Sequence, residues 1–518
     1  MTSLADLQRE ELPGVAKGAA FTLAFEFLDK VLGFAFVILV PRLIGLSDFG
    51  IFNICVSITH LLTTVSLAGL SVGIVREGSI LAQREDWGRL RGLLRFSVRF
   101  NVTTTLLLGA ALALAARPVA AWFLHSPDLA WALWVSAATV PFVGGALVLV
   151  QFSMSLRVVR HAAIVKLFFE SFLKILFFLV LFAAGLGLGA ALGGFSLSMA
   201  ACYLIAAFLM WRLLRRLPPA APAPIDGWSL LRYTLPLVGP ALYANIILWA
   251  DILLLGYYVE NPVVGLFSLA LKVTFIPDVI PKAFAAPVAP RLAAMLDRGE
   301  TSSWQELYHQ VGRWSLSLSL PCYLFLFLRS GLCLEVLGKE FVPASLYMTV
   351  LCLGPLLGAA IGPAESLLNM GGHSRWQLGN SLVALAFNLV AGLILLPGSG
   401  AGAMAWIISG TVFLYALMMG VEVIGLFRFF PLSAAQFRVL LSAVPGLLFL
   451  LYVRHAPLAA APRLEIVLEG FLFVGIYVAS LFLISVDARD REIIAQMLRR
   501  MRDHLSQSGR SDRSAKYL

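Results

Sequence analysis

The stretch Leu217-Pro-Pro-Ala-Ala-Pro-Ala-Pro-Ile-Asp-Gly227 is unlike the sequence on either side of it. It is rich in proline and carries no membrane-spanning signal, which marks it as a semi-rigid linker. On both sides the chain is a succession of apolar segments, each long enough to cross a bilayer. A spanning helix needs about 20 largely apolar residues. Windows centred near residues 30, 60, 105, 140, 173 and 200 before the linker satisfy this. So do those near 242, 275, 320, 355, 386, 414, 444 and 475 after it, about fourteen in all. The connections are short and leave no room for a soluble domain, so the work is done by a bundle within the membrane.

Composition agrees. Of 518 residues, 60% are hydrophobic and 13% charged, with a mean hydropathy of +0.88. A soluble protein so composed would expose far too much apolar surface. In lipid every backbone amide must be satisfied within the chain, which leaves helices or a closed barrel. Barrel strands alternate in polarity and run to about ten residues. These segments are longer and apolar on all sides, so the expected fold class is an all-α integral membrane protein. Cys55, Cys202, Cys322, Cys333 and Cys352 lie in or beside apolar stretches without metal-ligand spacing, and read as small core residues. No metal site and no catalytic constellation is expected. The polar start, MTSLADLQREELPGVAKG, is not a cleavable signal, and the first apolar segment reads as an uncleaved anchor.

The net charge is +10, and its distribution gives the orientation. With a cytoplasmic N-terminus, about 28 Lys and Arg fall in cytoplasmic connections, about 6 on the far side and about 5 within helices. Arg76, Arg84, Arg89, Arg91 and Arg95 crowd the second connection, and Arg212, Arg215 and Arg216 the sixth. The positive-inside rule therefore puts both termini in the cytoplasm. These basic loops suit anionic lipid rather than nucleic acid. In the basic tail, Ile493, Ile494, Met497, Leu498 and Met501 share one helical face that would lie along the inner leaflet.

The linker divides the chain into a first lobe of six helices (1–217), the linker itself (218–227) and a second lobe of six (228–430). A terminal pair of helices (431–486) and the tail (487–518) follow. The lobes echo each other. Phe49-Gly-Ile-Phe-Asn53 opens the second helix and Val264-Gly-Leu-Phe-Ser268 the eighth, about 215 residues later; the same offset maps Lys17 onto Arg232. Copies six helices apart insert in the same sense, which implies a pseudo-twofold axis along the membrane normal. Two lobes meeting at such an axis make a carrier that rocks between two openings rather than a pore.

Charges inside spans are costly and face protein or water. The first helix carries Glu26, Asp29 and Lys30, with Arg42 near its outer end, and Glu26 and Lys30 are spaced to pair. The seventh carries Asn245 and Asp251. The eighth carries Lys272, Asp278 and Lys282 among Pro277, Pro281, Pro287 and Pro290. Those prolines break the hydrogen-bond ladder and free carbonyls that need polar company or water. Both helices therefore read as walls of a wet cavity. Glu170 and Lys174 read as a self-neutralised pair, and Glu365 and Glu422 as lone acids near the cytoplasmic ends of their helices.

Three places carry a family resemblance: Pro41-Arg-Leu-Ile-Gly-Leu-Ser-Asp-Phe-Gly50; Leu67-Ala-Gly-Leu-Ser-Val-Gly-Ile-Val-Arg76; and Leu231-Arg-Tyr-Thr-Leu-Pro-Leu237 followed by Asp251, Val264–Lys272 and Pro290. The chain resembles the polysaccharide transport family of oligosaccharide-lipid flippases, in the multidrug/oligosaccharidyl-lipid/polysaccharide exporter superfamily. Leu46 stands where that family's signature has proline. The resemblance implies a V-shaped bundle of about fourteen helices, with the cavity between helices one, two, seven and eight. It also implies a groove for a polyprenyl tail beside the last two.

The expected function is to move a polyprenyl-pyrophosphate-linked oligosaccharide from the cytoplasmic to the periplasmic leaflet of a bacterial inner membrane. A sugar head on a pyrophosphate cannot cross hydrocarbon unaided, and a hydrated cationic cavity removes most of that penalty. Lys30 and Lys272 are the residues expected to hold the pyrophosphate, with Arg42, Lys282 and Asn245 completing the substrate site. Glu26, Asp29 and Asp251 are expected to bind a coupling proton or Na⁺. No Walker motif appears, no cofactor is expected, and the chain reads as a transporter, not an enzyme. Membrane lipids, a polysaccharide polymerase and glycosyltransferases are the expected partners. The alternatives are a cation-coupled drug or metabolite antiporter of the same fold, against which the terminal helix pair speaks, and a membrane glycosyl polymerase or ligase, against which the short far-side loops speak.

Overall fold

The computed structural model describes residues 28–156, 158, 161, 164–165, 169–234, 249–455 and 462–485. Everything regular among them is helical. The first lobe runs through α1 (28–44), α2 (Leu46–Leu67), α3 (Leu70–Gln83), α4 (Trp87–Leu114), α5 (Ala116–Phe123), α6 (Ala130–Ser155), α7 (Glu170–Ala183) and α8 (Leu188–Leu214). The second begins with α9 (Gly227–Thr234) and continues through α10 (Asp251–Tyr258), α11 (Asn261–Thr274), α12 (Val279–Asp297), α13 (Thr301–Leu328), α14 (Ser330–Leu337), α15 (Ser345–Leu351), α16 (Leu353–Ile361), α17 (Ala364–Met370) and α18 (Ser374–Phe427). The chain closes with α19 (Ala434–Ser442), α20 (Val444–His455) and α21 (Pro462–Ile484).

Among the described residues, 10 helical stretches are long and apolar enough to cross a membrane. One of them, Arg375–Phe427, is 53 residues long, more than twice a single crossing. It bends at Gly400, whose φ of 54° and ψ of −142° lie outside helical space and suit a residue without Cβ. The expected windows near 386 and 414 are its two arms. The windows near 30 and 173 fall on helices that are described in part or are short, the window near 242 lies outside the described residues, and the expected count of about fourteen is not confirmed.

Hydrophobic cores define the shape. The largest joins both lobes at the end away from the linker, where Phe49, Phe52, Phe178 and Phe195 meet Val264, Phe267, Phe341 and Met404. Toward the linker the core splits. Leu70, Leu90, Phe152 and Met210 form one cluster in the first lobe, and Leu292, Tyr308, Leu367 and Val423 another in the second. One shared core that divides in two is the packing signature of a V, joined at the far end. α19–α21 pack on α13 and α14. Arg329, between those two helices, is held by Glu469 in two contacts of 2.6 Å and by Glu465 at 3.1 Å, both on α21.

The linker is docked rather than free. Arg91 of α4 donates to the carbonyls of Ala220 (2.9 Å) and Pro218 (3.1 Å), and the Ala223 N–H donates to the Gly88 carbonyl at 2.9 Å. Proline supplies carbonyls without competing N–H groups, so one guanidinium gathers several of them. Thr234 of α9 donates to the Ala68 carbonyl at 3.0 Å, and Leu230 belongs to the first lobe's core.

Candidate functional site

The two copies of the sequence echo meet face to face. α2 packs along α11, and the contact is symmetric. A Cβ on Gly50 would lie 2.8 Å from the Asn261 carbonyl carbon and 3.1 Å from Gly265 N. A Cβ on Gly265 would lie 3.2 Å from the Leu46 carbonyl carbon and 3.3 Å from Gly50 N. Gly50 thus rests on the residue four before Gly265, and Gly265 on the residue four before Gly50. Only glycine at both positions lets the backbones approach so closely.

Other bonds close the same end. Asn261 Nδ2 donates to the Leu124 carbonyl at 2.9 Å, and His125 Nε2 lies 2.9 Å from the Val259 carbonyl. Arg42 donates through Nη2 to Val336 O at 2.9 Å and through Nε to Leu337 O, the last carbonyls of α14. A cation at a helix C-terminus answers both the orphan carbonyls and the dipole. Arg42 therefore joins the lobes at the far end.

One turn along α2, Asn53 is fully buried. Its Nδ2 donates to the Phe49 carbonyl at 2.7 Å, which leaves Oδ1 to accept from Lys272 Nζ of α11 at 2.5 Å. Lys272 Nζ also stands 5.4 Å from the Phe49 ring centroid. A second ammonium belongs to Lys174 of α7, which lies 4.7 Å from the Phe36 ring centroid. Phe52 connects the two rings, 5.7 Å from Phe36 and 6.4 Å from Phe49. Among the described residues neither lysine has a carboxylate within ion-pair distance. Both are held by an amide oxygen or a ring face, which orients a cation without neutralising it.

Lys272 is thus where the sequence reading put it, on the surface where the lobes meet. Lys30 is more exposed, with Nζ 3.4 Å from Asp29 Oδ2. Asp29 Oδ1 accepts from Ser171 Oγ at 2.5 Å, tying α1 to α7. Lys282 pairs with Asp278 on its own helix face at 2.5 Å and points outward. Glu26 and Asn245 lie outside the described residues. Asp251, in contrast, is buried in the second lobe. Its Oδ2 accepts from Asn388 Nδ2 at 3.3 Å, and Asn388 Nδ2 also lies 3.3 Å from Thr411 Oγ1. Among the described residues, Asp251 Oδ1 and Asn388 Oδ1 are buried without hydrogen-bond partners. Three helical segments, α10 and the two arms of α18, thus converge on two unsatisfied acceptor oxygens.

The sequence reading missed Asn53, Lys174, Asn388 and Thr411. Lone Asn residues inside apolar spans were the available signal for two of them, since a buried amide needs a partner. Lys174 was read as Glu170's partner; its ammonium turns to Phe36.

Two helical lobes joined by pseudo-equivalent helices at one end, with lysines on the joining face, define a two-lobed all-helical membrane fold. Solved structures share this fold. The chain is similar to the lipid II flippase MurJ in an inward closed conformation, with a TM-score of 0.71 and 14% identity over 89% of this chain and 98% of that one. It is similar to an inward-facing MATE multidrug resistance transporter of the MOP superfamily, with a TM-score of 0.64 and 14% identity over 79% and 98% of the two chains. A mutant of the Vibrio cholerae MATE transporter VcmN gives a TM-score of 0.55 and 15% identity over 80% and 98%. Comparison with curated protein sequences found no match. Residues 15–295, more than half of the chain, match the family described as polysaccharide biosynthesis protein, and the chain belongs to that family.

Proposed function

We propose that this protein moves a polyprenyl-pyrophosphate-linked oligosaccharide from the cytoplasmic to the periplasmic leaflet of a bacterial inner membrane by alternating access. The observation that carries the reading is Lys272: a cation on the face between the lobes, held by neutral Asn53 and Phe49, one turn inside the Gly50–Gly265 closure. An anionic head entering the V from the linker side meets Lys272 and Lys174 before that closure. Pyrophosphate gives each ammonium an oxygen acceptor and a charge-assisted hydrogen bond, while the prenyl tail stays in lipid. Lys30 stands at the start of the described part of α1 as a further contact for the anion. Arg42, released from α14 when the lobes rock, receives it at the outer mouth.

An inside-negative potential of 100 mV favours outward movement of each negative charge by about 2.3 kcal/mol, so the anionic lipid runs with the field. The Asp251–Asn388–Thr411 group is the favoured place for a coupling proton or Na⁺, because two buried acceptor oxygens there lack donors. Asp29, engaged by Ser171 and Lys30, and Glu26 complete the acids assigned to coupling.

The test is translocation of a fluorescent lipid-linked oligosaccharide in proteoliposomes. Lys272→Ala is expected to abolish it and Lys30→Ala to reduce it strongly, both proteins remaining folded in the membrane. Undiminished translocation by both variants would refute the site. Movement of a cationic dye in place of the lipid would refute the substrate class and favour a drug antiporter.

A further inference from the structure

At the end of the bundle away from the linker, α13 stops at Leu328 and α14 starts at Ser330. Between this break, the start of α15 and the end of α20 lies a cavity of about 410 Å³. Its polar wall includes Arg329, Arg454, Ser345 and Thr349, and its apolar wall includes Phe327 and Leu346. The first turn of α14 lines it as well, with the backbone N–H groups and positive dipole end of a helix start.

The two arginines differ in an informative way. Arg329 is nine-tenths buried and locked from behind by Glu465 and Glu469. Its Nη1 makes no hydrogen bond among the described residues. The two acids are not on the cavity wall. Arg454, at the end of α20, has neither a hydrogen bond nor an ion pair among the described residues. A fixed guanidinium and a free one, with hydroxyls between them, form a receptor for a tetrahedral oxyanion. The space exceeds what the anion needs, equalling the liquid volume of about fourteen waters. Its apolar side opens at Leu346, which is 63% exposed.

We infer that this cavity binds the phosphate of an anionic membrane lipid, with the ester oxygens on Arg454 and the α14 start and the first chain carbons over Phe327 and Leu346. The position is that of a headgroup, because four helix ends (α13, α14, α15 and α20) converge there. Free phosphate would leave the apolar wall empty. α14 links this cavity to the lobe closure, since its other end is the one Arg42 holds. The inference stands apart from the transported substrate, and its test involves no transport.

The experiment is native mass spectrometry of the full chain released from micelles doped with phosphatidylglycerol. Wild type is expected to retain one tightly held phosphatidylglycerol. Arg454→Gln is expected to weaken that binding about tenfold, the loss of one charge-assisted contact, and Arg454→Lys less. The melting temperature without added lipid is expected to be unchanged, because Arg454 has no hydrogen-bond or ion-pair partner among the described residues to lose. Equal retention by wild type and Arg454→Gln would overturn the proposal. So would displacement of the lipid by millimolar inorganic phosphate, which would assign the cavity to a free anion.

Discussion

Replacing Gly50 with alanine adds a single carbon at the point where the lobes meet. That carbon would sit 2.8 Å from the Asn261 carbonyl carbon, whereas ordinary contacts begin at 3.4 Å. The obstacle is backbone on a packed helix, so no rotamer change relieves it, and α2 and α11 must part by at least about 0.6 Å. Overpacking of this kind costs about 1–3 kcal/mol, and rigid backbone places it near the upper end. In the proposed alternating-access cycle the cost falls only on the state in which the far end is closed, because the glycines would separate when the lobes rock. At 1.4 kcal/mol per factor of ten, about 3 kcal/mol depletes the closed state roughly 100-fold. The assay is labelling of Asn53→Cys, in a background without the five native cysteines, by a membrane-impermeant maleimide added from the far side. Gly50→Ala is expected to raise the labelling rate steeply and to slow translocation. Gly265→Ala should do the same, and the double variant should add little, since both side chains strain one contact. Unchanged labelling and transport in both single variants would refute the claim that these glycines form the closure.

Three further outcomes are expected. Arg42→Ala removes the charged bonds to Val336 and Leu337, costing the closed state about 1.5–3 kcal/mol; it should raise the same labelling, and Arg42→Lys should not restore it because the two-pronged geometry is lost. Arg329→Met leaves Glu465 and Glu469 buried without a counter-ion, which costs about 3–5 kcal/mol; thermal melting in detergent should drop, and adding Glu465→Leu and Glu469→Leu should recover much of it. Asp251→Asn keeps the hydrogen bond to Asn388 but removes the charge; transport should lose its response to an imposed proton or Na⁺ gradient, and a retained response would exclude Asp251 from coupling.

Fold class was legible because lipid permits so few backbones. Long apolar runs such as Ala130–Ser155 leave helix as the only way to satisfy their amides. The lobe contact was half legible. The repeat around Gly50 and Gly265 is written in the sequence, but nothing there says that the copies touch, since contact across an axis is tertiary. Lys272 was found because a charge in a span demands explanation. Lys282, equally conspicuous, sits beside Asp278 and is exposed, a difference that depends on which face its helix buries. Asn53 and Lys174 escaped because their importance lies in partners more than 100 residues away, Lys272 and Phe36 respectively. The docking of Leu217–Gly227 could not be read either: its prolines announce stiffness, and the bonds from Arg91 and between Ala223 and Gly88 turn that stiffness into attachment.

The reciprocal contact in which Gly50 meets Asn261 while Gly265 meets Leu46 has the form of an isologous dimer interface. The 215-residue offset sets Asn53 against Ser268 and Ser57 against Lys272, so the Asn53–Lys272 bond has as its twin two serines whose hydroxyls are buried without partners among the described residues. The ammonium exists on one side only. A homodimer would carry this lysine twice, at equivalent positions across the axis; one chain carries it at one of the two positions and keeps the close fit.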